Sequence, residues 1–188
     1  MMEVNIVYFE KPGSQNTDEV LRIARKRAEE LGIKTILVAS TKGNTALKAI
    51  EMFKEFRVIA VSHSTGLDAP DSQEFSEETR RLVESKGGTV LTTTHAFGGI
   101  SRAMRKRFNT YVIGDIIAST LRIFGEGIKV TCEIAMMAAD GGLVRTNEDV
   151  IAIAGTDYGA DTAIVLKPVP THQFFDLKVR EILCKPRF

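Results

Sequence analysis

Six short runs of β-branched and aliphatic residues recur along the chain: NIVYF (5–9), TILVAS (35–40), VIAVS (58–62), TVLTTT (89–94), DVIAIAG (149–155) and TAIVLKPV (162–169). They are nearly continuous in apolar content rather than alternating, as expected of strands covered on both faces in a parallel sheet between two helix layers. The segments between them have helical periodicity. TDEVLRIARKRAEELG (17–32) opens with Thr17 as a cap, places apolar side chains at Val20, Leu21, Ile23, Ala24, Ala28 and Leu31, and stops at Gly32. A second helix is expected after Asn44, a third over 76–86 before Gly87 and Gly88, and a longer helical region over 100–139. The tail DLKVREILCKP reads as a last strand, Lys178 and Arg180 alternating with Leu177 and Val179. Strands alternating with helices predict an α/β fold, a three-layer α/β/α sandwich on a mostly parallel sheet with right-handed crossovers. With 188 residues and no linker or repeat, the expectation is one domain over 1–188.

In such a sheet the loops leaving the carboxyl ends of the strands form one rim, and ligands bind where the strand order reverses. The rim loops are rich in hydroxyl, amide and glycine residues. EKPGSQNT offers Lys11, Gly13, Asn16 and Thr17; STKGNT offers Ser40, Thr41, Lys42, Gly43, Asn44 and Thr45. SHSTG carries His63 and Thr65, THAFGG carries His95 and Phe97, and GTDYGADT carries Thr156, Tyr158, Gly159, Asp161 and Thr162. In STKGNT, Gly43 lets the chain turn tightly, and Asn44 or Thr45 is placed to cap the next helix. The first amides of that helix lack intrahelical partners and carry roughly half a positive charge, which a phosphate satisfies. Ordinary N-capping explains the same residues equally well. The loop lacks Walker A spacing, and GEGIKV (125–130) lacks the third glycine of a dinucleotide fingerprint.

Composition narrows the picture. With 44% hydrophobic and 26% charged residues and a formal net charge of +1, nothing draws the chain toward nucleic acid or an anionic membrane. Nor does any apolar stretch approach the roughly 20 residues that span a bilayer. The N-terminus has no signal-peptide pattern, and Cys132 and Cys184 sit in apolar runs, so a reducing, cytoplasmic setting is expected. The three histidines have no metal-ligand spacing, and no metal is expected. His63 and His95, each at the end of a strand run, are candidate proton carriers or simply hydrogen-bonded rim residues. Glu126, Glu133 and Asp140 fall seven apart; Gly125 and Gly127 suggest a break near Glu126, leaving Glu133 and Asp140 as the pair on one helical face. Glu133, in apolar VTCEIAMMAA, must be paired, protonated or beside a solvated crevice. The cluster Arg102, Arg105, Lys106, Arg107 reads as a solvated helix face whose buried side is Met104 and Phe108.

The path VASTKGNTALKAIEMFKEFRVIAVSHS (38–64) resembles the C-terminal domain of pyruvate kinase, where a strand opens through a Thr/Ser/Gly loop into a helix and cradles a phosphate of an allosteric sugar bisphosphate. GLVRTNEDVIAIAGTDYGADTAIVLKPV (142–169) is similar to that domain's closing strand pair and glycine-rich loop. A fuller resemblance, through KPG-x-x-NT at Lys11, VAS at Ala39, EI-x-x-MAADGG at Glu133, GADTA at Gly159 and FFD-x-K-x-x-EI-x-C-x-P at Phe174, is to a small archaeal family of stand-alone proteins of this type. The resemblance implies the fold, a phosphate held by residues 40–45 across a crevice from GTDYGADT, and flavin mononucleotide (FMN) as the ligand. Asn44 stands where pyruvate kinase often has a basic residue, so the charge must come from Lys42 or Lys11, or be replaced by neutral hydrogen bonds. Tyr158, Phe97, Phe174 and Phe175 are candidates to flank the flavin ring, with core packing the alternative for the phenylalanines. Pyruvate kinase activity is not expected, because its phosphoryl transfer belongs to a separate barrel of about 250 residues. Two roles stay open: a module binding a phosphorylated small molecule, or a flavin-dependent oxidoreductase with no catalytic residue assigned. Association into a homo-oligomer is also left open.

Overall fold

A computed structural model describes residues 3–187. In chain order the elements are β1 (Val7–Phe9), α1 (Thr17–Leu31), β2 (Thr35–Ala39), α2 (Asn44–Met52), β3 (Arg57–Ser62), α3 (Glu77–Ser85) and β4 (Thr89–Thr92). There follow α4 (Gly99–Phe108), α5 (Ile113–Arg122), α6 (Glu126–Asp140), β5 (Val150–Ala154), β6 (Thr162–Lys167) and β7 (Lys178–Pro186). A 3-10 turn precedes α1 at Ser14–Asn16, and a 3-10 segment kinked at Gln173 precedes β7 at Thr171–Asp176. The strands form one seven-stranded sheet in the order β1-β7-β6-β5-β2-β3-β4. All neighbours are parallel except that β6 runs antiparallel to both β5 and β7. This is a three-layer α/β sandwich, as the apolar runs predict.

The pleat divides the central strands between two cores. Ile36 and Val38 of β2 pack with Val20, Leu21 and Ala24 of α1 and Ala46 and Ile50 of α2 on one face. Leu37, between them, turns to the other face against Ile128, Cys132 and Ala135 of α6. Each such fully buried aliphatic side chain contributes about 1.5–3 kcal/mol, which is why β2, β3 and β5 carry apolar residues at consecutive positions. α6 is buried nearly all round, because α5 covers its outer side through Ala118 and Met136. Both cysteines are buried and unpaired, one in each face's core, and burial pushes each thiol up to about 12.

Several local expectations differ from the structure. Only Val7–Phe9 of the first run pairs, as a partly exposed edge strand beside β7. The 100–139 region is three helices, and α6 runs unbroken from Glu126 to Asp140. Glu126 therefore shares a helix with Glu133, while Asp140 is occupied elsewhere, accepting from the Thr171 amide at 2.9 Å. Phe108 is exposed rather than buried, and α4 buries no residue fully. Thr17 is not a cap: its hydroxyl donates to the Ser14 carbonyl (2.7 Å) and accepts from the Ala160 amide (2.9 Å), tying α1 to the β5–β6 loop. Among the described residues no helix is long and apolar enough to cross a membrane.

Candidate functional site

The strand order reverses beside β2: the chain steps outward through β3 and β4, then returns to place β5 on β2's other side. The loops after β2 and β5 consequently face a common crevice, the position at which α/β sheets bind ligands. Its volume is about 990 Å³, at the upper end of the 300–1,000 Å³ typical of small-molecule sites.

The β2–α2 turn forms one wall. Gly43 adopts φ 94°, and a Cβ there would stand 2.2 Å from Thr79 Cγ2. Gly43 is thus required by the turn and by packing against α3, and it does not line the crevice. Neither Asn44 nor Thr45 caps α2. Of the leading amides, that of Ala46 donates to Ser40 Oγ at 3.3 Å, whereas those of Asn44 and Thr45 meet no protein acceptor among the described residues. Thr41, Lys42, Asn44, Thr45 and Lys48 all border the space.

The facing wall is the β5–β6 loop, held from behind by Asp161. This buried carboxylate accepts from the Gly13 and Thr156 amides, both at 3.0 Å, and from Thr162 Oγ1 at 2.8 Å. Gly159, at φ 79°, presses so close to the 3-10 turn before α1 that a Cβ would lie 2.5 Å from Ser14 Cα. Pinned this way, the loop holds Tyr158 exposed over the crevice with Lys42 Nζ 5.4 Å from its ring centroid, within cation–π range.

The floor comes from α6 and from the ends of β3 and β4. Lys129 and Glu133, one helical turn apart and both buried, form an ion pair at 2.6 Å. Glu133 Oε1 also accepts from the Phe97 amide at 3.1 Å and lies 4.0 Å from His95 Nδ1. The Ser64 amide donates to His95 Nε2 at 3.4 Å, which places the proton of the neutral ring on Nδ1, toward Glu133. Burial pushes the His95 imidazole below the ordinary histidine value; Glu133 opposes this, while His63, Arg102 and Lys129 reinforce it. His63, its ring centroid 5.3 Å from that of His95, is held by Glu74 Oε2 at 2.8 Å from Nδ1. Its Nε2 is left 3.5 Å from Thr41 Oγ1, the outer limit of a hydrogen bond. Arg122 is paired with Glu126 and Lys48 with Asp18, but Lys42 and Arg102 form no ion pair among the described residues. Among the described residues the crevice therefore presents two cations without a carboxylate partner, Lys42 and Arg102, and two amides without an acceptor.

Of the residues singled out in the sequence, Thr17, Ser40, Thr41, Lys42, Asn44, Thr45, His63, Tyr158 and Gly159 line this space, as do His95, Arg102, Glu126 and Glu133. Lys11, Gly13, Asn16, Gly43, Thr65, Thr156, Asp161 and Thr162 do not. Asn16 Nδ2 donates to the Lys11 carbonyl (2.8 Å), Thr65 Oγ1 accepts from Gln73 (3.3 Å), and the others bind Asp161 or pack against α3. The three phenylalanines also lie away from it: Phe97 packs edge-on against Phe174 in the α5–α6 core, and Phe175 is exposed. Lys129, Arg122 and Glu74 escaped the sequence reading. A lysine four residues before a glutamate in an otherwise apolar helix was a legible signal for Lys129; Glu74 has none, since it reaches His63 from a long irregular loop.

A family model for the pyruvate kinase alpha/beta domain matches residues 18–166, from α1 to the end of β6. The chain belongs to that family. Pyruvate kinases from Cryptosporidium parvum are among the similar solved structures: one is 15% identical over 85% of this chain and 24% of its own, with a TM-score of 0.45. Another is 14% identical over 85% and 23%, at a TM-score of 0.43. A third, in complex with ADP, is 15% identical over 91% and 24%, at 0.41. The chain spans about a quarter of the length of these enzymes. Relative to the pyruvate kinase α/β domain match, β1 and β7 lie outside the matched span; they extend the sheet beyond β6.

Proposed function

We propose that the crevice binds a phosphorylated small molecule, with FMN as the ligand. The observation that supports this most directly is the pair of α2 amides, at Asn44 and Thr45, left without protein acceptors on the wall of a crevice large enough for a nucleotide. Lys42 supplies the charge that Asn44 does not, and Thr41 adds a hydroxyl. The donor set fits a phosphate monoester: two amides at the positive end of a helix, a hydroxyl and a cation. The apolar side chains Val61, Val130, Ile134 and Met137, with Tyr158 at the mouth, would enclose the ring. Lys129, which keeps N–H groups beyond the one it gives Glu133, is the donor for its polar edge. When bound, FMN supplies reversible uptake of one or two electrons.

One observation favours the flavin-dependent oxidoreductase as a second reading. Glu74 holds His63 through Nδ1, so that Nε2 turns to the crevice wall 3.5 Å from Thr41 Oγ1, where a general acid or base toward a bound substrate would stand. Titration of the protein into FMN separates the outcomes. Flavin fluorescence should be quenched, and Lys42→Glu should weaken binding at least about tenfold at low salt, some 1.4 kcal/mol. No quenching, or equal affinity for the variant, would refute the reading. Bleaching by a reduced nicotinamide with recovery on adding an acceptor would favour the oxidoreductase.

A further inference from the structure

α5 has two apolar faces, and the fold uses one. Ile117, Ala118 and Leu121 turn inward onto the core around Phe97 and Met136. Ile113, Ile116 and Ile123 point outward at 74%, 59% and 76% exposure. With Thr120 they follow a 3-4-3 spacing, which lines up as a single stripe on a helix. Thr120 leaves no polar demand in that stripe, because its hydroxyl is already spent on the Ile116 carbonyl at 2.9 Å. Phe108 and Tyr111 before α5 and Phe124 after it in the chain are also exposed.

We infer that this face is the contact between two copies of the chain, with α5 packed antiparallel against α5 of the second copy about a twofold axis. The area is right: six large side chains at these exposures, with aromatics carrying roughly 150–250 Å² each, present on the order of 800 Å². That equals the roughly 800 Å² each partner contributes to a stable interface and exceeds the 300–600 Å² patch of a typical monomer. The spacing is self-complementary, as an isologous contact demands. Reversing 3-4-3 gives 3-4-3, so a twofold axis near Ala118 sets Ile113 against the partner's Ile123 and Ile116 against the partner's Thr120. On α5 itself Asp115 is buried against Arg105 and Arg122 is paired with Glu126, so that helix offers a lipid surface no free basic side chain; the exposed Lys106 and Arg107 of α4, next to Phe108, are the cations that a vesicle-binding test addresses. Pairing would also clamp the α4–α5 hairpin, which carries Arg102 and Arg122 to the crevice.

Sedimentation of the full chain should give twice the chain mass. Ile116→Glu combined with Ile123→Glu should give the single-chain mass with unchanged circular dichroism, since both side chains are solvent-facing in the isolated subunit, and a lower thermal midpoint that no longer rises with protein concentration. Tyr8→Glu, on the exposed edge strand β1, should leave the dimer intact. A monomeric wild-type protein overturns the inference. So does a double variant that remains dimeric, a Tyr8→Glu variant that becomes monomeric, or a patch that binds anionic phosphatidylserine vesicles while the protein stays monomeric.

Discussion

Replacing Asp161 by alanine should destabilise the protein before it alters anything about a ligand. The side chain is buried and accepts three hydrogen bonds, from the Gly13 amide, the Thr156 amide and the Thr162 hydroxyl. A net hydrogen bond to a charged group is worth roughly 1.5–3 kcal/mol. The two amides are only partly shielded, so water replaces part of what they lose and the low end of that range applies to each. The sum is about 4.5 kcal/mol for Asp161→Ala, a large share of the roughly 5–15 kcal/mol that holds a domain together. Asp161→Asn keeps an oxygen where both amides point and lets the Thr162 hydroxyl rotate to accept from the new amide, so only the charge is lost. That costs about 1–2 kcal/mol. Urea unfolding followed by circular dichroism measures both: at a slope near 2 kcal/mol/M the alanine variant's midpoint falls by about 2 M and the asparagine variant's by about 0.5–1 M. Alanine and asparagine variants equally damaged, or an alanine variant within about 1 kcal/mol of wild type, would refute the account of Asp161 as the clasp between the loops after β1 and β5. Weakened FMN binding with stability intact would instead make Asp161 a ligand contact.

Two further outcomes follow from the crevice and its turn. Burial holds His95 below its ordinary value of 6.5 in the folded protein, so near and below that pH the unfolded chain binds more protons; stability should fall as pH drops from about 7 to 5. His95→Asn should flatten that decline in urea midpoints, and parallel pH profiles for variant and wild type would count against it. At Gly43, φ 94° and a would-be Cβ 2.2 Å from Thr79 Cγ2 make Gly43→Val costly, about 3 kcal/mol or more in thermal melts. Adding Thr79→Ala should restore part of the loss by removing the clash and not the backbone strain, and an unchanged melting temperature in the single variant would show the turn to be softer than its geometry indicates.

The strands of the sheet centre were legible because each is buried on both faces, which imposes an unbroken apolar run that no surface segment needs. The same rule misled at β1: NIVYF is as apolar as TILVA, yet it lies at an edge with Val7 and Tyr8 exposed, and nothing within five residues records which neighbours a strand will have. Residues 100–139 read as one helical region because α5 is apolar on two faces; the outward stripe looks like core until the fold shows which face α6 covers. Glu133 could be marked as needing a partner from its apolar surroundings, and Lys129 stands four residues before it in the same helix.

What the sequence determined by itself were features fixed by interactions a few residues long: the strand and helix periods, the turn at Gly43, and a polar rim following the strands. Whether a given rim residue faces a ligand or holds the protein together was decided only by the tertiary structure. Ser40, Asp161 and Thr45 are all small polar residues in rim loops, yet the first accepts from α2 and the second clasps an amide 148 residues away, while the third keeps its own amide open to the crevice. Hydrogen-bonding capacity is a property of the residue type, but its satisfaction depends on which distant groups the packed sheet brings within about 3 Å.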